Sequence, residues 1–168
     1  VARDDIVGFT ATMIDLGETT NLTADEAATA IAQISNVMGT MDREGSEGVE
    51  RFGAALVELG NNGASTESEI LDMAQRIAGA ASTVGASESD VLALSNTLAS
   101  MGIRAEQGGG VAQRVILKMR SAVDSGGESL ESFAKVAGTS AEEFATKFRS
   151  SPICLLYTSP SPRDATLS

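Results

Sequence analysis

Four pairs of closely spaced carboxylates are the side chains best placed for acid–base chemistry. They are Asp4/Asp5, Glu67/Glu69, Glu88/Asp90 and Glu142/Glu143. In a catalytic pair, one carboxyl group stays protonated as the acid while its neighbour is ionised and acts as the base or nucleophile. Most of these residues, however, fall in the first turn of a predicted helix, where the helix dipole stabilises a negative charge. We therefore interpret them as helix-start residues.

Other common reaction centres lack essential groups. The chain has no histidine, and its serines and threonines have no suitably placed lysine that would activate them as nucleophiles. The triple glycine at 108–110 lacks the preceding strand and the Gly-Lys-Ser/Thr ending of a phosphate-binding loop. Residues 41–48 come nearest to an oxygen-ligand metal loop, but their spacing is wrong. The sequence therefore predicts no catalytic, cofactor-binding or metal-binding residues, and no enzyme activity in this chain.

The charge of the chain argues against an anionic partner. Its net charge is −11, so its surface should repel nucleic acid and anionic membranes. The nearest approach to a basic patch is Arg104, Arg114, Lys118 and Arg120. Arg114 and Lys118 are four residues apart on one predicted helix face, which we interpret as a solvated surface. No apolar run reaches the ~18 to 20 residues that span a bilayer, so we expect neither nucleic-acid binding nor a membrane span in this chain.

The elements that carry these residues are clearest between residues 59 and 103. Thr66 and Glu69 have the spacing of a capping box, in which each residue's side chain accepts a hydrogen bond from the other's backbone N–H. Behind the box an apolar face recurs at helical spacing, and Gly85 follows as a helix stop. The pattern then repeats from Ser87 to Gly102, so the sequence predicts a helical hairpin. The expected inner faces are Ile70, Met73, Ile77, Ala81 and Val84, then Val91, Leu94, Leu98 and Met101.

The rest of the chain has the same organisation. Helices are predicted at 3–16, from a Thr23 cap to Gly39, from residue 46 or 47 to Gly60, at 111–123 after a flexible triple glycine, at 128–137, and at 141–149 behind a capping box at 139–142. No segment has the pattern of a strand. The fold class is therefore predicted to be all-α, a run of short antiparallel amphipathic helices arranged as hairpins, without a sheet and with a disordered C-terminal tail.

Several segments of this region together resemble a known family. They are Leu-Gly-Asn-Asn-Gly-Ala-Ser-Thr-Glu-Ser-Glu-Ile at 59–70, Met-Ala-Gln-Arg-Ile-Ala-Gly at 73–79, and Leu-Ser-Asn-Thr-Leu-Ala-Ser-Met-Gly-Ile at 94–103. Flanking them are Asn-Leu-Thr-Ala-Asp-Glu-Ala-Ala at 21–28 and Ala-Glu-Gln-Gly-Gly-Gly at 105–110. In order and spacing these segments resemble the core region of bacteriophage tail tape measure proteins, most densely over residues 17–119.

The resemblance implies a structural role in the virion and brings no catalytic residues with it. Proteins of that family lie along the lumen of the tail tube, set tail length, and leave during genome ejection. The implied partners are the tail tube protein, tail assembly chaperones and baseplate or tail-tip proteins, with self-association as a further expectation. The implied location is the tail lumen of the virion, and the host cytoplasm during assembly.

The residues alone leave two other functions open. One is an acidic α-helical binding module of a secreted or surface protein, which would offer an apolar groove to a partner helix. The other is an enzyme whose catalytic domain lies outside this chain. Gene context would separate the three, because tail genes cluster together.

The last residues differ in character from the rest. Residues 154–164 read Cys-Leu-Leu-Tyr-Thr-Ser-Pro-Ser-Pro-Arg-Asp, with the only cysteine and tyrosine of the chain. They resemble a translated transposon-end sequencing adapter, so we assign no redox or nucleophilic role to Cys154. The predicted organisation is a helical region at 1–150 followed by a non-native, disordered tail at 151–168. Since Val1 already begins a helical pattern, we also expect an internal fragment of a longer protein.

Overall fold

The computed structural model describes residues 3–156, and side-chain burial from residue 6 onward. This part of the chain consists of helices and contains no strand, which confirms the predicted all-α class. The α-helices are α1 (Arg3–Thr19), α2 (Ala24–Met38), α3 (Thr40–Asn62), α4 (Glu67–Thr83), α5 (Glu88–Ser100), α6 (Ala105–Ser125), α7 (Gly127–Val136) and α8 (Ala141–Ser150), followed by a 3-10 turn, Cys154–Leu156.

Capping boxes start three of the helices where the sequence predicts them. At α4 the Glu69 amide donates to the Thr66 hydroxyl at 3.3 Å, and the Thr66 amide donates to the Glu69 carboxylate at 2.9 Å. Thr23 and Ser87 form the same reciprocal pairs at α2 and α5. The predicted stop at Gly39 is also confirmed, because this residue has φ +72 and so a left-handed backbone.

The start of α3 differs from the prediction. The helix begins directly after Gly39, six residues before the predicted start at 46, and is interrupted at Gly45, which has φ 59 and ψ −148. Only glycine adopts this backbone conformation readily. Thr40 lies in the helical turn before this kink and is buried, with 1% of its surface exposed.

Other helix ends also differ from their predicted positions. α1 continues through Gly17 to Thr19, and Gly17 packs against Ala24, whose nitrogen lies 3.0 Å from the position of an added Cβ. The α8 cap is Ser140, whose hydroxyl accepts from the Glu143 amide at 3.1 Å. The predicted box at 139–142 is therefore wrong by one residue.

Two apolar clusters hold the helices together. The larger one includes the inner faces of α1 to α5 and the first half of α6, and Met73, Ile77 and Val91 are fully buried in it. The smaller one joins the second half of α6 to α7 and α8 around Phe144. The Phe144 ring stacks between Phe133 and Phe148, with centroid separations of 6.0 and 6.4 Å. α6 is thus part of both clusters.

Most of the predicted inner faces are buried, but Met101 is not. Ile70, Met73, Ile77 and Ala81 are fully buried, as predicted. The Met101 side chain is 69% exposed, although its amide still donates to the Thr97 carbonyl at 3.2 Å at the C-terminal end of α5. On α1, the apolar side chain of Ile14 is also 51% exposed.

The residues that follow α8 are partly ordered, in contrast to the predicted structureless tail from residue 151. Ile153 is fully buried in the larger cluster, and Leu155 is buried in the smaller one. Apolar burial fixes these residues although they have no helical period. The remainder of the predicted tail, 157–168, lies outside the described residues.

Candidate functional site

The predicted carboxylate pairs do not face one another as acid and base. In the pair Glu67/Glu69, Glu69 belongs to the α4 capping box, and in the pair Glu88/Asp90, Asp90 accepts from the Ser87 amide at 3.1 Å. Glu143 forms an ion pair with Lys147 at 2.7 Å on the surface of α8. The side chains of the remaining pair, Asp4/Asp5, lie outside the part of the chain for which burial is described. In each described pair, one carboxylate therefore interacts within its own helix, near the helix start.

Glu88 has a further role that its position in the sequence does not indicate. Its carboxylate accepts hydrogen bonds from the buried Thr40 hydroxyl and from the Arg43 guanidinium, the latter at 2.9 Å. Arg43 also donates to the carbonyl of Met38 at the end of α2. This polar junction fastens the corner between α2 and α3 to the first turn of α5.

A second junction fixes the turn between α3 and α4. Ser65 is buried and donates to the Asn96 side-chain oxygen on α5 at 2.7 Å. The Ser65 hydroxyl also lies 3.1 Å from that of Ser100. Glu67 packs over Gly60, where an added Cβ would clash with the Glu67 Cδ. The turn between α3 and α4 is thus hydrogen-bonded to α5, and the start of α4 packs on the end of α3.

The pKa of one carboxyl group, that of Glu26, is lowered. Hydrogen bonds donated by the Thr23 amide and then by the Thr23 hydroxyl lower the pKa of Glu26, because they stabilise its ionised form. This group is the N3 residue of the α2 capping box. The shift therefore reflects helix capping.

The triple glycine is helical and tightly packed, so its prediction as a flexible joint is wrong. Gly108 and Gly109 are both buried in the second turn of α6. An added Cβ at Gly108 would lie 3.0 Å from the Met73 Cε, and one at Gly109 would lie 2.6 Å from the Arg76 Cβ. The glycines let the α6 backbone approach α4 closely, as small residues do at helix crossings.

An apolar groove of about 400 Å³ lies between α5 and α6. Both helices pack along α4 but hardly touch each other, which leaves the groove open. Met101 is 69% and Val111 50% exposed at its edge. Leu156 closes part of it from the 3-10 turn. The lining, which we call the α5–α6 groove, consists of Leu94, Thr97, Leu98, Met101, Ile103, Gln107, Gly108, Val111, Ala112, Val115 and Leu156.

Cations border this groove along α6. Arg114 and Lys118 follow the lining residues Val111 and Val115 by three positions each, so they lie on the solvent side of the groove. Both are exposed, and neither forms an ion pair with the residues that the structure describes. Arg120, by contrast, lies 3.6 Å from Asp124 and donates to the Thr83 carbonyl.

The remaining chemistry of the described residues is limited. Between residues 3 and 156 there is no group of three or more histidine, cysteine, aspartate or glutamate side chains that could hold a metal ion. No helix in this range is both long and apolar enough to cross a membrane. Sequence reasoning found Arg114 and Lys118 but missed Thr40, Arg43 and the groove itself, because these depend on contacts between distant segments.

Comparison with known proteins gives one clear relationship. Neither a curated protein nor a solved structure matches the chain. The model of one protein family, described as phage-related minor tail protein, matches residues 1–155. The match spans every helix described above, and it favours a structural role in a phage tail over the secreted binding module that the residues alone left open. The chain therefore belongs to the phage-related minor tail protein family.

Proposed function

We propose that this chain is part of a tape measure protein, which occupies the lumen of the phage tail tube, sets tail length and leaves during genome ejection. Membership of the minor tail protein family is the observation that carries the proposal. The segments at 59–70, 73–79 and 94–103 support it through their resemblance to the tape measure core. On this proposal the protein is structural, and its partners are the tail tube protein, assembly chaperones and tail-tip proteins.

The packing of the helices fits a protein that must change length. A continuous helix of ~150 residues would extend about 225 Å at ~1.5 Å per residue, whereas α6, with 21 residues, is among the longest helices here. Close crossings are made by glycines, as at Gly53, where an added Cβ would lie 3.2 Å from the Thr12 Cγ2. Glycines bury little apolar area themselves, so the packing at these crossings depends on the larger side chains around them. The folded hairpins are then the compact form of a segment that extends in the tube.

A tail-length experiment tests this proposal. In a phage whose tail gene encodes this chain, residues 24–102, which comprise α2 to α5, are deleted in frame or duplicated in tandem. If the segment lies extended as helix, tails should shorten or lengthen by about 120 Å at ~1.5 Å per residue, as measured by negative-stain electron microscopy. Synonymous recoding of the same codons is the matched control. Tails of unchanged length in both variants would contradict the proposal.

A second measurement tests the location. A protein in the tail lumen should resist protease in intact virions and become accessible, or be lost from the particle, after DNA ejection is triggered. The tail tube protein, followed in the same samples, reports whether the tube itself has remained intact. Digestion of the chain in intact virions, with the tube unharmed, would place it on the outside.

A further inference from the structure

Two exposed surfaces of this chain are apolar and are bordered by opposite charges. The first is the α5–α6 groove, whose apolar lining is open to solvent at Met101 and Val111 and bordered by Arg114 and Lys118. The second lies on α1, at the other end of the chain. Since both surfaces remain uncovered among the described residues, each can accept a partner.

The α1 surface is an apolar stripe with an acidic border. Ile6, Val7 and Ile14 are 56%, 65% and 51% exposed, and their positions fall within about 100° of one another around the helix. We call these residues the α1 stripe. Asp15 and Glu18 border it; both are exposed, and neither forms an ion pair with the described residues.

The hydroxyl groups on the two surfaces are already hydrogen-bonded. Thr10, which lies among the residues of the α1 stripe, donates to the Ile6 carbonyl at 2.8 Å. Thr97 in the groove donates to the Ala93 carbonyl at 2.9 Å. Burial of either surface would therefore leave no hydroxyl without a partner, which removes a common cost of forming an interface.

The α1 stripe cannot reach the groove of its own chain without loss of packing. The adjacent face of α1 buries Met13 and Leu16 against the larger cluster, and α1 packs on α2 and α3. α6, in contrast, packs on α4, α5, α7 and α8. An occupant with the properties of the α1 stripe must therefore come from another molecule.

We propose that the α5–α6 groove binds the α1 stripe of a second copy of this chain. The apolar side chains of the stripe fill the groove, while Asp15 and Glu18 face Arg114 and Lys118. The opposite charges at this contact matter because the chain as a whole is acidic, with a net charge of −11. Its copies would otherwise repel one another. The contact joins two different surfaces, so it is heterologous and leads to a row or ring of copies.

This inference concerns the chain itself and does not depend on the measuring role proposed above. The proposed contact between copies and the proposed measuring role can each be disproved without affecting the other. Tail length would be unaffected by the loss of a contact between copies that only aligns them, and self-association of the free chain would persist in a protein with another position in the tail.

Sedimentation velocity of the full chain tests the contact, with a reductant present so that the exposed Cys154 cannot form a disulfide. We expect self-association that weakens as salt is raised. The charge reversals R114E/K118E and D15K/E18K should each lower the association constant about tenfold, because attraction between the bordering charges becomes repulsion. All four residues are exposed, so both variants should remain folded, as circular dichroism will verify.

Mixing provides the decisive result. Equal amounts of the two reversed variants should associate about as well as the wild type, because each supplies the surface that the other has kept. The matched control is K135E/R149E, which reverses two exposed cations on α7 and α8, and it should associate as the wild type does.

The inference is overturned if the wild type is monomeric up to about 1 mM, or if neither reversal weakens association. Binding of an unrelated acidic amphipathic peptide by a monomeric wild type would identify a foreign helix as the occupant instead.

Discussion

Gly109 on α6 lies against Arg76 on α4 so closely that a Cβ on residue 109 would be 2.6 Å from the Arg76 Cβ. The Arg76 Cβ is bonded directly to the backbone, so a change of rotamer cannot move it away from this contact. The backbones of the two helices are therefore held at a distance that only glycine permits at this position. The packing on α4 of α6, the helix that is part of both apolar clusters, depends on this approach.

The substitution Gly109→Ala should destabilise the protein although alanine favours a helix. Overpacking of this kind typically costs about 1–3 kcal/mol. Its matched control is Gly110→Ala one residue further, where the nearest atom, the Arg114 Nη1, is 3.8 Å from the added Cβ. That variant should gain roughly 0.5–1 kcal/mol from helix propensity. Urea unfolding measures both, and equal effects at the two positions would show that the crossing is not tight.

The junction around Glu88 predicts a loss of stability in Thr40→Val. This change keeps the shape of the buried side chain but removes the hydroxyl that donates to Glu88, at a cost of about 1–2 kcal/mol. Thr29→Val, at an exposed position of α2, should stay within ~0.5 kcal/mol of the wild type. If the two variants unfold at the same urea concentration, the hydrogen bond contributes nothing.

The α2 capping box predicts a pH effect at Glu26. Its pKa is lowered in the folded state by the Thr23 amide and hydroxyl, so folding is favoured above the pKa of the unfolded chain. This contribution disappears as the pH falls through the lowered folded value. In Thr23→Ala, NMR titration should place the pKa of Glu26 closer to its ordinary value. Thr29→Ala, which removes a hydroxyl elsewhere on α2, should leave it where it is in the wild type.

The separation of the two clusters predicts where a core substitution acts. Phe144→Ala should cost about 3–5 kcal/mol within the smaller cluster, and amide exchange should accelerate in α7, α8 and the second half of α6. Protection of α2 to α5 should persist, because their side chains belong to the larger cluster. Ile77→Val, in the larger cluster, is the reciprocal control. Uniform loss of protection throughout the chain would show that the clusters unfold as one unit.

Much of the fold follows from local sequence patterns. Thr66 and Glu69 are three residues apart, so their reciprocal hydrogen bonds are settled by the spacing alone, and the apolar faces of α4 follow from the helical period. Gly39 could be assigned as a stop because its position after a periodic segment requires a left-handed backbone. The family resemblance rests on the same local patterns.

The features that were not predicted depend on distant contacts. Thr40 and Glu88 are 48 residues apart, and no rule of local spacing connects them. Glycines at 108–110 are typical of a joint when the sequence is considered alone, and they become helical only because α4 offers a surface that they can approach. Met101 continues the period of α5, yet it lies at the edge of a groove that the described residues leave open. The groove and its cations result from two helices that share α4 as a neighbour.

The membership of α6 in both clusters has a mechanical consequence. If the chain is pulled from its two ends, the load passes through α6, whose first half is held by the larger cluster and whose second half is held by the smaller one. A load from the C-terminal end must first release Ile153 from the larger cluster. The smaller cluster has fewer side chains to resist shear, so we then expect α7 and α8 to separate before α2 to α5. The position of α6 across the two clusters thus determines the order in which the segment lengthens under tension.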